Sequence, residues 1–156
     1  MVIKNMKIKN GFTLIELMIV VAVIGILLTV LLPRAGTMID RSREKATHKN
    51  LQNIQAAVNA YCIRDTEDVY PVSDANFAAI LSEYFDKRPF ALLKRSAANA
   101  NEGKVRVVET TADIDNTGGW LLVTGTITAQ CGRVFINSRE LDTVGTGTPY
   151  STYSSW

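Results

Sequence analysis

The sequence predicts an α+β protein. A long N-terminal helical spine, half apolar and half amphipathic, packs on a small C-terminal antiparallel sheet. Three observations carry this. Residues 12–32 form one apolar run broken by a single carboxylate, Glu16. Leu51, Ile54, Val58 and Tyr61 then recur at the helical period, with Ala57 and Cys62 beside them. From Lys104 the composition shifts to β-formers and turn residues, with Val105, Val107 and Val108 ahead of Asp115-Asn116-Thr117-Gly118-Gly119.

Residues 1–11 read as a basic leader carrying Lys4, Lys7 and Lys9. Residues 12–33 read as a transmembrane or assembly helix, because a run of this length makes about 32 Å of helix, enough to cross a bilayer core. Gly25 and Pro33 are its soft points. Proline bends such a helix without having to end it. Residues 34–63 continue the helix as an amphipathic segment, although Arg41 to Asn50 are almost all polar and are assigned to the part that leaves the membrane.

Residues 64–103 form a connecting region with a short helix. Ser73 is a good N-cap, Phe77, Ile80, Leu81, Tyr84 and Phe85 make its stripe, and Pro89 stops it. Residues 104–140 hold the sheet, with further strands at 120–124 and 133–137 and an ambiguous piece at 126–128. Residues 141–156, rich in Gly, Thr, Ser and Tyr, form an irregular tail.

Charge excludes little by itself. Without Lys4, Lys7 and Lys9, the 17 basic residues fall to 14 against 15 acidic ones, so the basic balance belongs to the leader and gives no reason to expect a nucleic-acid partner. The pairs Lys87-Arg88 and Lys94-Arg95 read as solvated helix ends. His48, the one histidine, sits in the polar helical stretch with no cysteine near it in sequence and reads as a solvated surface residue rather than a base or ligand. No catalytic constellation or P-loop is present, so the chain reads as a non-enzyme. The two cysteines, Cys62 and Cys131, read as one disulfide in an oxidising compartment, worth about 4 kcal/mol for so long a loop; the alternative is two buried thiols. No cofactor is expected. Calcium stays open as an alternative, at the Asp113–Gly118 turn or near Asp142 and residues 147–150, though few oxygen ligands are gathered at either.

Glu16 poses the sharpest question. A carboxylate in a membrane helix costs about 2.5–3.5 kcal/mol near the bilayer centre and less toward the interface, so it needs a partner. No Lys or Arg lies in the run. A cut between Gly11 and Phe12 would create an α-ammonium four residues before Glu16, on the same helix face, or available to Glu16 of a neighbouring copy.

The junction Lys9-Asn10-Gly11, then Phe12-Thr13-Leu14-Ile15-Glu16-Leu17, with Gly25 and Pro33 beyond, resembles the type IV pilin family, which includes the pseudopilins of type II secretion. The resemblance covers about the first third of the chain. It implies cleavage after Gly11 by an inner-membrane prepilin peptidase, N-methylation of Phe12, and a role for Glu16 in assembly and methylation. It also implies a pilin-like fold and a structural subunit of a filament, pilus or secretion pseudopilus. The implied partners are further copies, other pilin-like subunits, and an inner-membrane platform driven by a cytoplasmic ATPase. The globular part would lie outside the inner membrane, then on the filament.

Other readings account for less. A secretory signal peptide has a shorter core and a small-residue cleavage site, unlike Pro33-Arg34-Ala35-Gly36. A plain anchor explains the length but not Glu16 or the Gly11-Phe12 junction. The alternative of a different class is a monomeric, membrane-tethered binding protein, for which Glu16 would be dispensable.

Overall fold

The computed structural model describes residues 11–64, 70–97, 101–125, 132–143 and 147–153. The chain divides into two units, residues 1–36 and 37–156. Helix α1, Leu14–Arg64, is continuous through Gly25 and position 33. In the first unit none of its large apolar side chains is covered among the described residues: Val20, the least exposed of them, is still 46% exposed. The Thr29 hydroxyl is satisfied locally, donating to the Ile26 carbonyl at 2.7 Å.

In the second unit α1 buries a stripe. Leu51, Ile54 and Val58 are fully buried and Cys62 nearly so, as their spacing predicts; Tyr61 packs at the margin. The stripe begins earlier than the apolar pattern does. Thr47 and Glu44, one and two turns upstream of Leu51, are also buried, so part of the polar stretch faces the protein interior. Helix α2, Asp74–Tyr84, follows. Its N-cap Ser73 accepts from the Asn76 N–H, and Phe77, Ile80 and Leu81 are buried. It ends at Tyr84, ahead of Pro89, when Phe85 turns to extended backbone.

The sheet is mixed rather than antiparallel throughout. The short strands β1 (Ala91–Leu92) and β2 (Asn101–Glu102) pair antiparallel by themselves. The main sheet has the order β3 (Val105–Val108), β4 (Trp120–Val123), β5 (Arg133–Ile136). Strands β4 and β5 pair antiparallel, whereas β3 and β4 are parallel, with Val105 opposite Trp120. Parallel neighbours need a crossover instead of a tight turn. Residues 109–119 supply it, through a 3₁₀ turn at Thr111–Asp113. At its end Gly119 takes φ +81°, and a Cβ there would stand 2.4 Å from the Lys104 carbonyl oxygen. That carbonyl accepts from the Trp120 N–H at 2.8 Å and opens the parallel ladder, so the close approach requires glycine. Residues 126–128 lie outside the described residues.

Both faces of the sheet are apolar. Trp120, Leu122, Val134 and Ile136 join the α1 and α2 stripes in the main core. Val108, Leu121, Val123 and Phe135 form a second cluster under Ile114 of the crossover. The indole of Trp120 is fully buried and donates to the Pro89 carbonyl at 2.8 Å. Side chains cap both sheet edges. The Val107 N–H on β3 donates to Asp74 Oδ1 at 2.6 Å. On β5 the Gln55 amide accepts from the Val134 N–H at 2.9 Å and donates to the Gly132 carbonyl at 2.7 Å. Edge groups bonded this way are closed to a further strand.

The crossover is held by Asp115. Its carboxylate accepts from the Thr117 hydroxyl at 2.7 Å, the Thr117 N–H at 3.1 Å and the Asn137 amide at 2.8 Å, and pairs with Arg106. The Thr117 hydroxyl above all, then the Asn137 amide, hold its pKa down to about 2. A depressed carboxylate contributes stability above its unfolded value near 4, and loses it as pH falls through the folded value. Acid unfolding followed by circular dichroism should therefore show a loss between about pH 4 and 2. In Asp115→Asn that part of the profile should flatten, and an unchanged profile would remove Asp115 from the account.

Candidate functional site

Gly11, Phe12 and Thr13 precede α1 in non-helical backbone. Gly11 is exposed, and a Cβ added there would meet nothing within 4 Å. The fold therefore makes no demand for glycine at this position. The Gly11–Phe12 peptide bond lies outside the helix.

The first turn is closed by a reciprocal pair. The Thr13 N–H and hydroxyl both donate to Glu16 Oε2, at 3.2 and 2.9 Å, and the Glu16 N–H donates to Thr13 Oγ1 at 3.3 Å. This is a capping box, with Thr13 as N-cap and Glu16 three residues on. The Thr-x-x-Glu spacing is visible in the sequence, so the signal was there to find. It means that Glu16 has a partner in the chain before any cleavage. A negative group in the first turn also suits the helix dipole.

Beyond it, Leu14–Leu32 is long and apolar enough to cross a membrane, and no part of it is buried by the chain. Gly25 lies in this segment with open space around it. Glycine inside a helix costs about 1 kcal/mol relative to alanine, and no contact here accounts for it.

The other residues singled out from the sequence are placed as follows. Cys62 is buried in the main core, and Cys131 lies outside the described residues, as do leader residues 1–10. His48 is half-buried rather than solvated, its ring 5.3 Å from that of Tyr153. Of the basic pairs, Lys94 donates to the Leu141 carbonyl at 2.8 Å and Arg95 pairs with Asp40 at 3.2 Å. Lys87 and Arg88 are exposed. Asp142 accepts from the Thr148 N–H at 3.1 Å and from the Tyr153 hydroxyl.

Sequence reasoning missed the cluster around Glu44. This carboxylate accepts from the Tyr150 hydroxyl at 2.6 Å, the Thr143 N–H at 2.8 Å and the Thr143 hydroxyl at 2.8 Å. Burial, then the bond to Glu44, push the Tyr150 hydroxyl well above the ordinary phenol range, so it remains a donor. Nearby, Arg43, Thr47 and Asn50 donate to the carbonyls of Leu93, Leu92 and Phe90 at 2.8, 2.8 and 3.1 Å. The polar stretch of α1 thus anchors the β1 region and the tail. The tail itself is tied by Leu141 bridging Pro149 and by the turn Tyr150–Thr152.

Residues 6–32 match the family model of the prokaryotic N-terminal methylation motif. The segment is thus the prepilin-type signal that type IV pilins and pseudopilins share. No curated protein and no solved structure matches the chain significantly.

Proposed function

We propose that this chain is a pilin-like structural subunit of a type IV filament or a type II secretion pseudopilus. Prepilin peptidase cuts between Gly11 and Phe12 and Phe12 is N-methylated. The subunit then leaves the inner membrane through an assembly platform with a cytoplasmic ATPase, to pack with further copies and other pilin-like subunits. The observation that carries the reading is the wholly uncovered apolar helix of the first unit with Glu16 in its first turn, directly behind a non-helical Gly11–Phe12 bond. Such a surface is stable only in lipid or against other helices. Glu16 then exchanges its Thr13 contacts for the Phe12 ammonium of a neighbour, and Gly25 and Pro33 let the packed helix bend. The globular part faces away from the cytoplasm, where Cys62 and Cys131 can form a disulfide.

The capping box supports a second reading. Thr13 satisfies Glu16 with no second copy, as a monomeric membrane-tethered binding protein would need. Intact mass of the protein from membrane and sheared-surface fractions separates the two. A species starting at Phe12 with one added methyl, present in the sheared fraction, is the expected result. A species beginning at or near Met1 would remove the ammonium partner of Glu16 and leave the tethered protein as the reading.

A further inference from the structure

The sheet face turned away from α1 and α2 carries a cavity of about 420 Å³ between strand β5, the crossover and the Tyr150–Thr152 turn. Its floor is apolar: Phe135 and Ile114 line it and are 4% and 7% exposed. Arg133 and Arg139 line it too, with the hydroxyl residues Ser151 and Thr152, and no carboxylate is among the described lining residues. The two arginines are held differently. Arg139 is fixed, its guanidinium donating to the Ala112 carbonyl at 3.1 Å and its N–H to Asn116 Oδ1 at 2.6 Å. Arg133 is exposed, and its guanidinium has no partner among the described residues. The Ser151 hydroxyl is likewise uncommitted among them.

We propose that this cavity binds a small organic carboxylate carried on a flat apolar body. The volume falls in the range of small-molecule sites, which combine apolar walls with a few placed polar groups. Guanidinium groups match a carboxylate in two-pronged geometry, and these hydrogen bonds are strengthened by charge. Two arginines with no acid among the described lining residues leave the cavity positive, so an anion is favoured over a neutral ligand of the same shape. The small apolar surface that Phe135 and Ile114 leave open at the floor gives that ligand's body a contact, which a bare oxyanion would not use. The inference is independent of the filament reading, since it concerns the second unit alone.

The test is a titration of the full chain in detergent micelles, read by NMR at the arginine Nε–H, Ser151 and Phe135 signals. The probes are benzoate, benzamide and inorganic phosphate. Benzoate should give saturable shifts at these positions, with benzamide and phosphate at least tenfold weaker. Arg133→Gln should weaken benzoate by about tenfold or more, the scale of one charge-assisted hydrogen bond. Ser151→Ala should weaken it about threefold while leaving the rest of the spectrum unchanged, a smaller step for a neutral donor. Benzoate shifts that never saturate, or that are the same in Arg133→Gln, would overturn the proposal. Phosphate binding as tightly as benzoate would overturn the apolar half of it.

Discussion

Glu16→Gln is expected to insert, to be cut after Gly11, and to leave no filament in the sheared-surface fraction. The reason lies in what glutamine retains. Its side-chain oxygen can still accept from Thr13, because a capping box takes Glu or Gln at this position. The helix start is therefore preserved and the negative charge is not. What is lost is the ion pair with a neighbour's Phe12 ammonium. A hydrogen bond to a charged group is worth about 1.5–3 kcal/mol. Losing about 2 kcal/mol at each subunit interface lowers association about thirtyfold per added subunit, and the deficit compounds along a filament.

Glu16→Ala removes both the box and the charge, so it should fail at assembly and also fray the first turn, a loss of about 1 kcal/mol. The comparison of the two variants separates the roles. If Glu16→Gln assembles normally, the carboxylate serves only as a cap and its ion pair with a neighbour's Phe12 ammonium is refuted; if the unsubstituted chain itself never reaches the sheared fraction, the monomeric tethered reading takes over. If glutamine fails and alanine is no worse at assembly, the charge is what the filament uses. Immunoblots of sheared and membrane fractions, with the membrane signal as the control for insertion, decide between these outcomes.

The parts of this chain that could be read in advance are those whose partners are local or generic. Residues 12–32 declare themselves because lipid asks only for length and apolarity. Leu51, Ile54 and Val58 declare themselves because one helix face must be covered, whatever covers it. The parallel pairing of β3 with β4 did not show, since alternation marks a strand but carries no direction. The burial of Glu44 and Thr47 did not show either. They continue the stripe of Leu51 at the right spacing, yet a polar residue at a core position looks like a solvated one until its partners are known. Those partners are Tyr150 and Thr143 for Glu44, and the Leu92 carbonyl for Thr47. All of them lie dozens of residues away, where no local pattern links them to the helix. For the same reason nothing apolar neighbours Tyr150 in sequence, although it is fully buried and sits edge-on to Tyr153 at 5.8 Å.

That cluster sets up the second large effect, on stability. Glu44→Ala should destabilise the second unit by about 3 kcal/mol, because a buried acceptor is removed and its donors stay behind. Thr143 is half-buried and recovers part of its bonding from water, but the Tyr150 hydroxyl is enclosed. Tyr150→Phe should cost less, about 1–2 kcal/mol, since it deletes one donor and leaves Glu44 with both bonds from Thr143. It also strands the Lys94 N–H, which donates to the Tyr150 oxygen at 3.0 Å. The double variant should cost less than the sum, because the two substitutions break one shared bond. Urea unfolding followed by tryptophan fluorescence, with buried Trp120 as a reporter, measures all three. A Glu44→Ala effect below about 1 kcal/mol would mean that desolvating the carboxylate cancels its bonds, as happens for some buried charges. Strict additivity would mean that Glu44 and Tyr150 act separately, and that the tail is held by its apolar packing rather than by the carboxylate beneath it.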